Sequence, residues 1–345
     1  MNNDAETMDA RMNSDAKFPL IALQPACNAD HVWVALLLDA DRPLDNAALA
    51  QLLGDCALAE LLAETPCVVQ ADPLALDPAL AANLPRERLI LRFPLAQAGD
   101  SARGPALAAL RQAGFGLMTG DLPAGWQVGM ITPAIKGDPT ARSVLLKLLS
   151  LVTRDAESAE IEALVKRDAS LAYKLLKLVN SVAFMPGRHI ESFSQALVLL
   201  GRRQLQRWLM LLLFARPPGN ETVSPLLPQA ALRANLLEGM ARRKGLARDD
   251  WDHAFMIGMF SLLDTLFGQP LAEIIAPLHL SDEVTRALLE GSGPFGALLK
   301  TVRSGEAGPT PELGEALAAI GLSREAWGAA LIEAARWAVM IGKEA

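Results

Sequence analysis

The pattern of hydrophobic positions changes near residue 130. Before this point, short apolar runs alternate with helical patterns, and such runs are typical of buried strands. The runs are Phe18 to Leu23, Val32 to Leu38, Val68 to Val69, Leu89 to Leu91 and Phe115 to Met118. Helical patterns lie between them at residues 46–64 and 102–113, the second ending at Gly114. The alternation predicts an α/β domain with parallel strands over residues 18–127.

From about residue 130 onward, the apolar positions follow helical spacing instead. In the segment 171–182, for example, they fall on one face of a helix. The predicted helices cover residues 141–152, 159–166, 171–182, 194–215, 228–244, 251–267, 271–276, 281–290 and 296–304, with two more from Pro311 to the end. The apolar run 208–215 is much shorter than the about 20 residues of a membrane span, so it predicts a buried central helix. We therefore expect residues 128–345 to form an all-α domain.

The composition agrees with this division and limits the function. Leu and Ala dominate the 51% hydrophobic content, which favours helices. A net charge of −7 argues against a nucleic-acid partner. Cys27, Cys56 and Cys67 have no CxxC spacing, so we expect reduced thiols in a cytoplasmic protein. Residues 1–17 are polar and predict a disordered leader rather than a targeting peptide.

Three segments of the helical half resemble the HDOD domain, the catalytically silent relative of the HD phosphohydrolases. They are the stretch from Asp168 to Asn180-Ser181, the stretch from Ala196 to Leu200-Gly201, and the segment Gly258-Met259-Phe260-Ser261-Leu262-Leu263-Asp264. The segments occur in the family's order and approximate spacing. The resemblance implies an all-α bundle that takes part in signalling through contacts with protein partners.

The third segment contains the positions at which active HD enzymes carry a His-Asp pair. Here these positions are Ser261 and Leu262, a hydroxyl and an aliphatic side chain in place of two metal ligands. The resemblance therefore implies that the metal site is lost, that no cofactor is needed and that the chain is not an enzyme. Asp264 is a vestigial ligand or, as the favoured alternative, a hydrogen-bond partner of a neighbouring helix.

Short motifs of the N-terminal half resemble the EAL phosphodiesterases, which cleave cyclic di-GMP with two metal ions held by carboxylates in a (β/α)8 barrel. Gln24-Pro25 resembles the motif of the first strand. The positions at which the family carries carboxylates are Val34, Arg92, Gly120 and Asp121, of which only Asp121 is acidic. The resemblance implies a degenerate EAL-type domain, shortened because a complete barrel needs about 250 residues. An incomplete sheet has edges that helices or a second copy of the chain must cover, so a homo-oligomer is one expectation.

Arg202, Arg203 and Arg207 form the most basic cluster of the sequence. Arg203 and Arg207 are one helical turn apart and share a face. A solvated face is the default interpretation of this cluster. Contact with an anionic partner or with a nucleotide phosphate is the alternative.

Two polar pairs also allow more than one interpretation. Asn180-Ser181 either ends a helix or contacts a ligand or partner, because both side chains can bond exposed backbone groups. Asp252-His253 reverses the order of the HD pair at the start of a helix. There Asp252 fits a capping or dipole role better than His253 fits a metal role.

The sequence thus favours a non-enzymatic bacterial signal-transduction protein, with a degenerate EAL-like α/β domain before an HDOD helical bundle. The alternative is a sensor that binds a nucleotide such as cyclic di-GMP without hydrolysis, with Arg92 and Arg202 facing the phosphates. An active metal-dependent phosphohydrolase with unrecognised ligands is a third hypothesis. The expected partners are proteins of a signalling pathway, with no nucleic acid and no membrane.

Overall fold

The computed structural model describes residues 18–77, 79, 86–93, 103–129, 139–154, 156–157, 160–161, 163–164, 193–214 and 226–344. The predicted leader 1–17, the predicted helix 171–182 and the motif residues Asp168, Asn180 and Ser181 lie outside these residues. The described residues divide into two compact units. The sheet unit contains those of 1–130, 239–246 and 300–336, and the helical unit contains those of 131–238, 247–299 and 337–345.

A single mixed sheet forms the centre of the sheet unit. Its strands are β1 (Ile21–Cys27), β2 (Trp33–Ala40), β3 (Cys67–Gln70), β4 (Leu89–Phe93), β5 (Gly116–Thr119) and β6 (Gln127–Val128). The first five overlap the apolar runs of the sequence, which confirms the predicted α/β layer. The strand order is β5-β4-β3-β2-β1-β6. The pairs from β2 to β5 are parallel, as expected.

The prediction of parallel strands is wrong at β1, which runs antiparallel to β2. Only residues 28–32 connect the two strands, whereas a parallel crossover needs about a dozen residues or more. The Asn28 side-chain oxygen accepts hydrogen bonds from the backbone N–H groups of Asp30 (3.0 Å) and Val32 (2.9 Å). This Asx turn closes the hairpin and fixes the direction of β1.

The described part of the sheet is open rather than closed as a barrel. β5 and β6 are its two terminal strands, so the chain passes from one edge to the opposite edge within residues 120–126. Leu122 and Trp126 of this crossing segment pack against a buried apolar cluster on the sheet. The cluster consists of Ala26, Ala35, Leu37 and Val68. The crossing segment therefore covers one face of the sheet.

The helices between the strands follow the sequence pattern with one break. They are α1 (Asn46–Gly54), α2 (Leu58–Glu64) and α3 (Gly104–Gln112). The pattern at 46–64 forms two helices because the chain turns at Ala57, which takes a left-handed φ of 54°. The Asp45 carboxylate caps α1 by accepting a hydrogen bond from the N–H of Ala48 (2.8 Å). Gly114 follows α3 with a φ of 94°, as expected for a glycine that ends a helix.

Distant segments of the chain complete the sheet unit, so its composition departs from the predicted boundary between residues 127 and 128. Trp327 is 1% exposed and donates its indole N–H to the backbone oxygen of Ile21 on β1 (2.8 Å). Arg324 forms an ion pair with Asp41 (2.8 Å) beside the same strand. Helical periodicity carries no information on which compact unit a helix joins, and the predicted domain boundary stays a prediction.

All described regular elements after residue 130 are helical, which confirms the predicted helical character of this half. The α-helices are α4 (Pro139–Thr153), α5 (Phe193–Phe214), α6 (Leu226–Arg243), α7 (Arg248–Phe260), α8 (Leu263–Phe267), α9 (Leu271–Ile275), α10 (Asp282–Leu289), α11 (Gly293–Glu306), α12 (Pro311–Ile320) and α13 (Arg324–Glu344). The pattern at 251–267 forms two helices, because Ser261 and Leu262 separate α7 from α8. Among the described residues, no single helix is long and apolar enough to cross a membrane. Two bent pairs of helices reach that length and apolarity only when the two helices of a pair are counted together.

Candidate functional site

Ser261, one of the two positions matched to the HD pair, lies in a buried polar contact with an arginine. It is 4% exposed and follows the last residue of α7. Its hydroxyl donates to the backbone oxygen of Gly258 (2.8 Å) and accepts a hydrogen bond from the Arg233 guanidinium (3.0 Å). Arg233 lies on α6 and is itself only 8% exposed. A buried guanidinium thus contacts the position where the resemblance expects a metal ligand.

A close approach of two helices makes this contact possible. A Cβ atom at Gly258 would lie 2.4 Å from the Cα atom of Ala234, the residue next to Arg233. Only a glycine therefore lets α7 approach α6 so closely, and the approach places the two polar side chains in reach of each other. The motif residues Gly258 and Ser261 consequently have a structural function, which is to hold Arg233 in the core.

The remaining residues of this motif are apolar or face solvent. Leu262 is 5% exposed, and an aliphatic side chain offers no metal ligand. Asp264 is exposed in the first turn of α8, where its carboxylate accepts a hydrogen bond from the N–H of Thr265 (2.6 Å). The expected hydrogen bond from Asp264 to a neighbouring helix is therefore replaced by a local contact, because the short helix α8 turns this side chain outward.

Arg207, from the basic cluster, is held by two carboxylates within the helical unit. Its guanidinium contacts Glu238 on α6 through two hydrogen bonds (3.0 and 2.8 Å) and Asp252 on α7 through a third (3.0 Å). It also lies over the ring of Phe255, 4.3 Å from the centroid. Burial opposes the charged form of Arg207, but hydrogen bonds and charge from Glu238, and then from Asp252, raise its pKa above the ordinary value.

Arg203 is more exposed, with 56% of its side chain accessible, and it pairs with Asp249 and with Asp252 (3.3 Å). Asp252 is therefore an ion-pair partner inside α7 rather than the expected helix cap, because both arginines reach it from α5. Both guanidinium groups already have carboxylate partners, which leaves them poorly placed as phosphate ligands. The side chain of Arg202 lies outside the described residues.

Val34, the position matched to the EAL glutamate, lies in an apolar environment at the start of β2. The β1–β2 pairing skips it, because Ala26 faces Ala35 and Cys27 faces Trp33, so Val34 occupies a β-bulge. Its side chain packs against the buried apolar cluster of the sheet. No polar function follows for this position.

The structure does not bring Val34 together with Arg92. Leu36 is level with Leu89 in the parallel register, so Val34 and Arg92 differ by five residues along the strands, or about 16 Å. Arg92 instead lies near the carboxyl end of β4, and Gly120 and Asp121 follow the carboxyl end of the adjacent β5. The edge of the sheet that is formed by the carboxyl ends of its parallel strands thus carries Arg92, Gly120 and Asp121, and Val34 is not part of it.

Asp39 is a polar residue at this edge that the sequence analysis did not single out. The β2–β3 register ends with Leu38 paired to Val69; extended by one residue, it places Asp39 level with Gln70, which pairs with Arg92. We call Asp39, Gln70 and Arg92 the carboxyl-edge row, since they lie on one face of three adjacent strands near their carboxyl ends. Burial raises the pKa of Asp39, and the charge of Arg92 partly offsets this. An acidic residue directly after the apolar run Val32 to Leu38 is the signal that could have revealed it.

The cysteines have no reactive environment. Cys27, Cys56 and Cys67 are buried and unpaired by disulfides. Burial raises the pKa of the Cys27 thiol to about 11 and the pKa values of the other two to about 12, so the thiolate forms are scarce at neutral pH. Within the described ranges, a group of three or more His, Cys, Asp or Glu side chains that could hold a metal ion is absent.

Comparison with known proteins identifies part of the chain. The HDOD domain family model matches residues 139–267. The uncharacterized protein YuxH of Bacillus subtilis is 36% identical over 141 residues, which are 40% of this chain and 34% of YuxH. The cyclic di-GMP phosphodiesterase CdgJ of Vibrio cholerae is 32% identical over 189 residues, which are 55% of this chain and 43% of CdgJ. The chain thus spans less than half the length of these curated relatives.

Among solved structures, the chain is similar to a protein of Shewanella amazonensis SB2B that carries a provisional phosphohydrolase name. The two are 14% identical, with a TM-score of 0.42 over 59% of this chain and 93% of the other. The HDOD match and the similarity to CdgJ support a role in signalling. The EAL-type identity of the sheet unit stays a prediction.

Proposed function

We propose that the chain is a non-enzymatic regulatory protein of a bacterial signalling pathway and that its HDOD domain acts by binding other proteins. The degenerate EAL-like character of the sheet unit belongs to the same proposal. In this account both units descend from metal-dependent phosphodiesterase folds, and both have lost the carboxylates and imidazoles that such chemistry needs.

The observation that carries the proposal is the contact between Arg233 and Ser261. A divalent metal ion at this position would face a guanidinium charge that is 8% exposed, and the repulsion between two cations is strong where water is scarce. The hydroxyl of Ser261 is a weak metal ligand and is already engaged in two hydrogen bonds. The local chemistry therefore favours a packed core over a metal centre.

A regulatory role through protein contacts is consistent with where the charges lie. The arginines of α5 are used to bind α6 and α7, so these ion pairs are internal to the helical unit. Such a network fixes the second half of α5 relative to α6 and α7. A scaffold of this kind needs no substrate.

Metal uptake tests the proposal. The full chain is loaded with excess Mn²⁺, passed over a desalting column and analysed for bound metal, with Ser261→Ala and the matched control Ser304→Ala treated in parallel. We expect less than about a tenth of an equivalent of Mn²⁺ in all three proteins, because no ligand set replaces the HD pair. One equivalent in the wild type and the control, lost in Ser261→Ala, would contradict a metal-free regulator.

A second candidate function is favoured by the carboxyl-edge row. Ligands of α/β sheets bind outside the carboxyl ends of the strands, and Arg92 and Asp39 would offer a cation and an acceptor there. The chain would then sense a nucleotide such as cyclic di-GMP through its sheet unit while hydrolysing nothing. Arg92 would contact a phosphate, since arginine binds phosphate oxygens in pairs.

Titration calorimetry with cyclic di-GMP, with and without Mg²⁺, separates the two candidates. Saturable heat at micromolar ligand that is lost in Arg92→Ala and kept in the control Arg111→Ala would establish the sensor. Absence of heat up to about millimolar ligand would reject the sensor and leave the scaffold. Arg111 is a suitable control because it is an exposed arginine of the same unit, on α3.

A further inference from the structure

Helix α5 contains a residue whose backbone is not helical. Gly201 takes φ 70° and ψ 170°, whereas the residues on both sides are helical. This region of backbone space is essentially restricted to glycine, because a Cβ atom would clash with the neighbouring peptide groups. The predicted continuous helix at 194–215 is therefore two half-helices, 193–200 and 202–214, joined at a kink.

Crowding does not force this kink. Gly201 is exposed, and a Cβ atom placed on it would meet no atom of the described residues within 4 Å. Gly258, by contrast, has no room for a Cβ atom. The only property of Gly201 that the kink requires is its backbone freedom, and the same freedom lets a glycine adopt helical dihedrals at modest cost.

The half-helix after the kink is fixed within the helical unit. Arg207 is bound by Glu238 and Asp252, and Gln206 donates to the hydroxyl of Thr153 on α4 (3.5 Å). The apolar side chains from 208 to 214 are all buried, from 0% to 6% exposed. A change at Gly201 therefore moves residues 193–200 and leaves residues 202–214 in place.

We propose that Gly201 is a two-state hinge of the HDOD domain. In one state the helix is kinked, as in this structure, and in the other Gly201 is helical and α5 is straight. The ion pairs of Arg203 and Arg207 form the fixed side of the hinge. Two packings of one element that differ little in free energy are what a regulatory domain without chemistry can offer to a partner. The hinge does not depend on the identity of that partner.

Replacement of Gly201 by alanine shifts the equilibrium in a known direction. Alanine gains about 1 kcal/mol over glycine in a helix and loses at least about that amount in the kinked conformation, so the straight form gains at least about 30-fold. The added methyl group enters open space, so a steric effect does not confuse the result. Gly54→Ala is the matched control, because Gly54 also has open space around it but no positive φ.

Hydrogen exchange of the full chain, resolved to amides 202–204, tests the hinge. In the kinked form these amides begin a half-helix and lack intrahelical acceptors, whereas in the straight form they are bonded. We expect partial protection in the wild type, about 10-fold or more slower exchange in Gly201→Ala, and no change in Gly54→Ala. Full protection in the wild type would overturn the kink. Exchange at the free-peptide rate in the wild type, or unaltered exchange in folded Gly201→Ala, would show a fixed kink and overturn the hinge.

Discussion

The two units differ in how they pack the positions that the proposed function treats as vestigial sites. In the helical unit, the HD position is sealed: Ser261 is buried, and a buried guanidinium from Arg233 contacts it. In the sheet unit, the carboxyl-edge row is altered but open, with Arg92 half-buried and Gln70 exposed at the end of the strands. A changed ligand residue therefore does not by itself decide whether a site can still bind something. Burial and the new neighbours of the changed residue decide it.

Glycine substitutions should show this contrast most strongly. Gly258→Ala places a methyl group against the backbone of Ala234 and should lower the free energy of unfolding by about 4 kcal/mol, because neither helix backbone can give way. Gly116→Ala in the sheet unit places a methyl group 3.0 Å from Cγ1 and 3.5 Å from Cα of Ile90, contacts that a small shift relieves, and should cost less than about 1.5 kcal/mol. Chemical denaturation measures both. Equal costs would show that the approach of α7 to α6 is no tighter than the packing of β5 on β4.

The next largest difference in stability is expected between variants of Arg233 and Arg92, the arginines at the two vestigial sites. Arg233→Ala removes a buried guanidinium, leaves the Ser261 hydroxyl without its donor and should cost about 3 kcal/mol of unfolding free energy. Arg92→Ala should cost less than about 1 kcal/mol, because its side chain is half-buried and water replaces its contacts. A stability loss for Arg92→Ala as large as that for Arg233→Ala would remove the distinction between an open and a sealed site.

Within the helical unit, the same reasoning ranks the arginines of α5. Arg207→Ala should lower the free energy of unfolding by about 2 kcal/mol, since this guanidinium has three hydrogen bonds to carboxylates that are themselves partly buried. Arg203→Ala should cost less than about 0.5 kcal/mol, since more than half of its side chain is exposed. Thermal unfolding of the two variants at equal pH and ionic strength measures these costs. A larger cost for Arg203→Ala than for Arg207→Ala would refute the ranking.

Replacement of Asp39 is expected to have the smallest effect on stability, and this effect depends on pH. The folded-state pKa of Asp39 is raised above 3.8, mainly by burial, so the native protein binds this proton more tightly than the unfolded chain. The stability that the bound proton contributes is present below pH about 3.8 and is lost as the pH rises through the folded pKa. Asp39→Asn should therefore unfold at nearly the wild-type denaturant concentration near pH 3 and at a higher concentration at pH 7. A variant less stable than the wild type at pH 7 would show that Asp39 gains from its charge.

The elements of both units were accessible from the sequence, because they depend on local patterns. Strands β1 to β5 coincide with apolar runs, and the helical half follows its periodicity. The antiparallel direction of β1 was also accessible in principle, since the connection at 28–32 is too short for a crossover. The break in α5 at Gly201 was not, because an isolated glycine is compatible with a helix.

The side chains that contact the candidate residues could not be predicted from the sequence. Arg207 reaches Glu238 and Asp252, which are 31 and 45 residues away, and neither position is linked to it by any periodicity. Arg233 lies in an otherwise ordinary helix, and only the packing of Gly258 on Ala234 reveals why a charge is buried there. The motif segments predicted the resemblance to the HDOD domain, whose family model matches residues 139–267, but tertiary contacts explain how these residues are used.

The most direct test of the account is a turnover assay on the full chain. Purified protein is incubated with cyclic di-GMP and with nucleoside triphosphates in the presence of Mn²⁺ or Mg²⁺, and products are separated by chromatography, beside Asp121→Ala and Asp264→Ala. The account predicts no product above the protein-free control in any sample, because neither vestigial site retains a ligand set. Product formation by the wild type that Asp121→Ala or Asp264→Ala abolishes would contradict it and identify the chain as an enzyme.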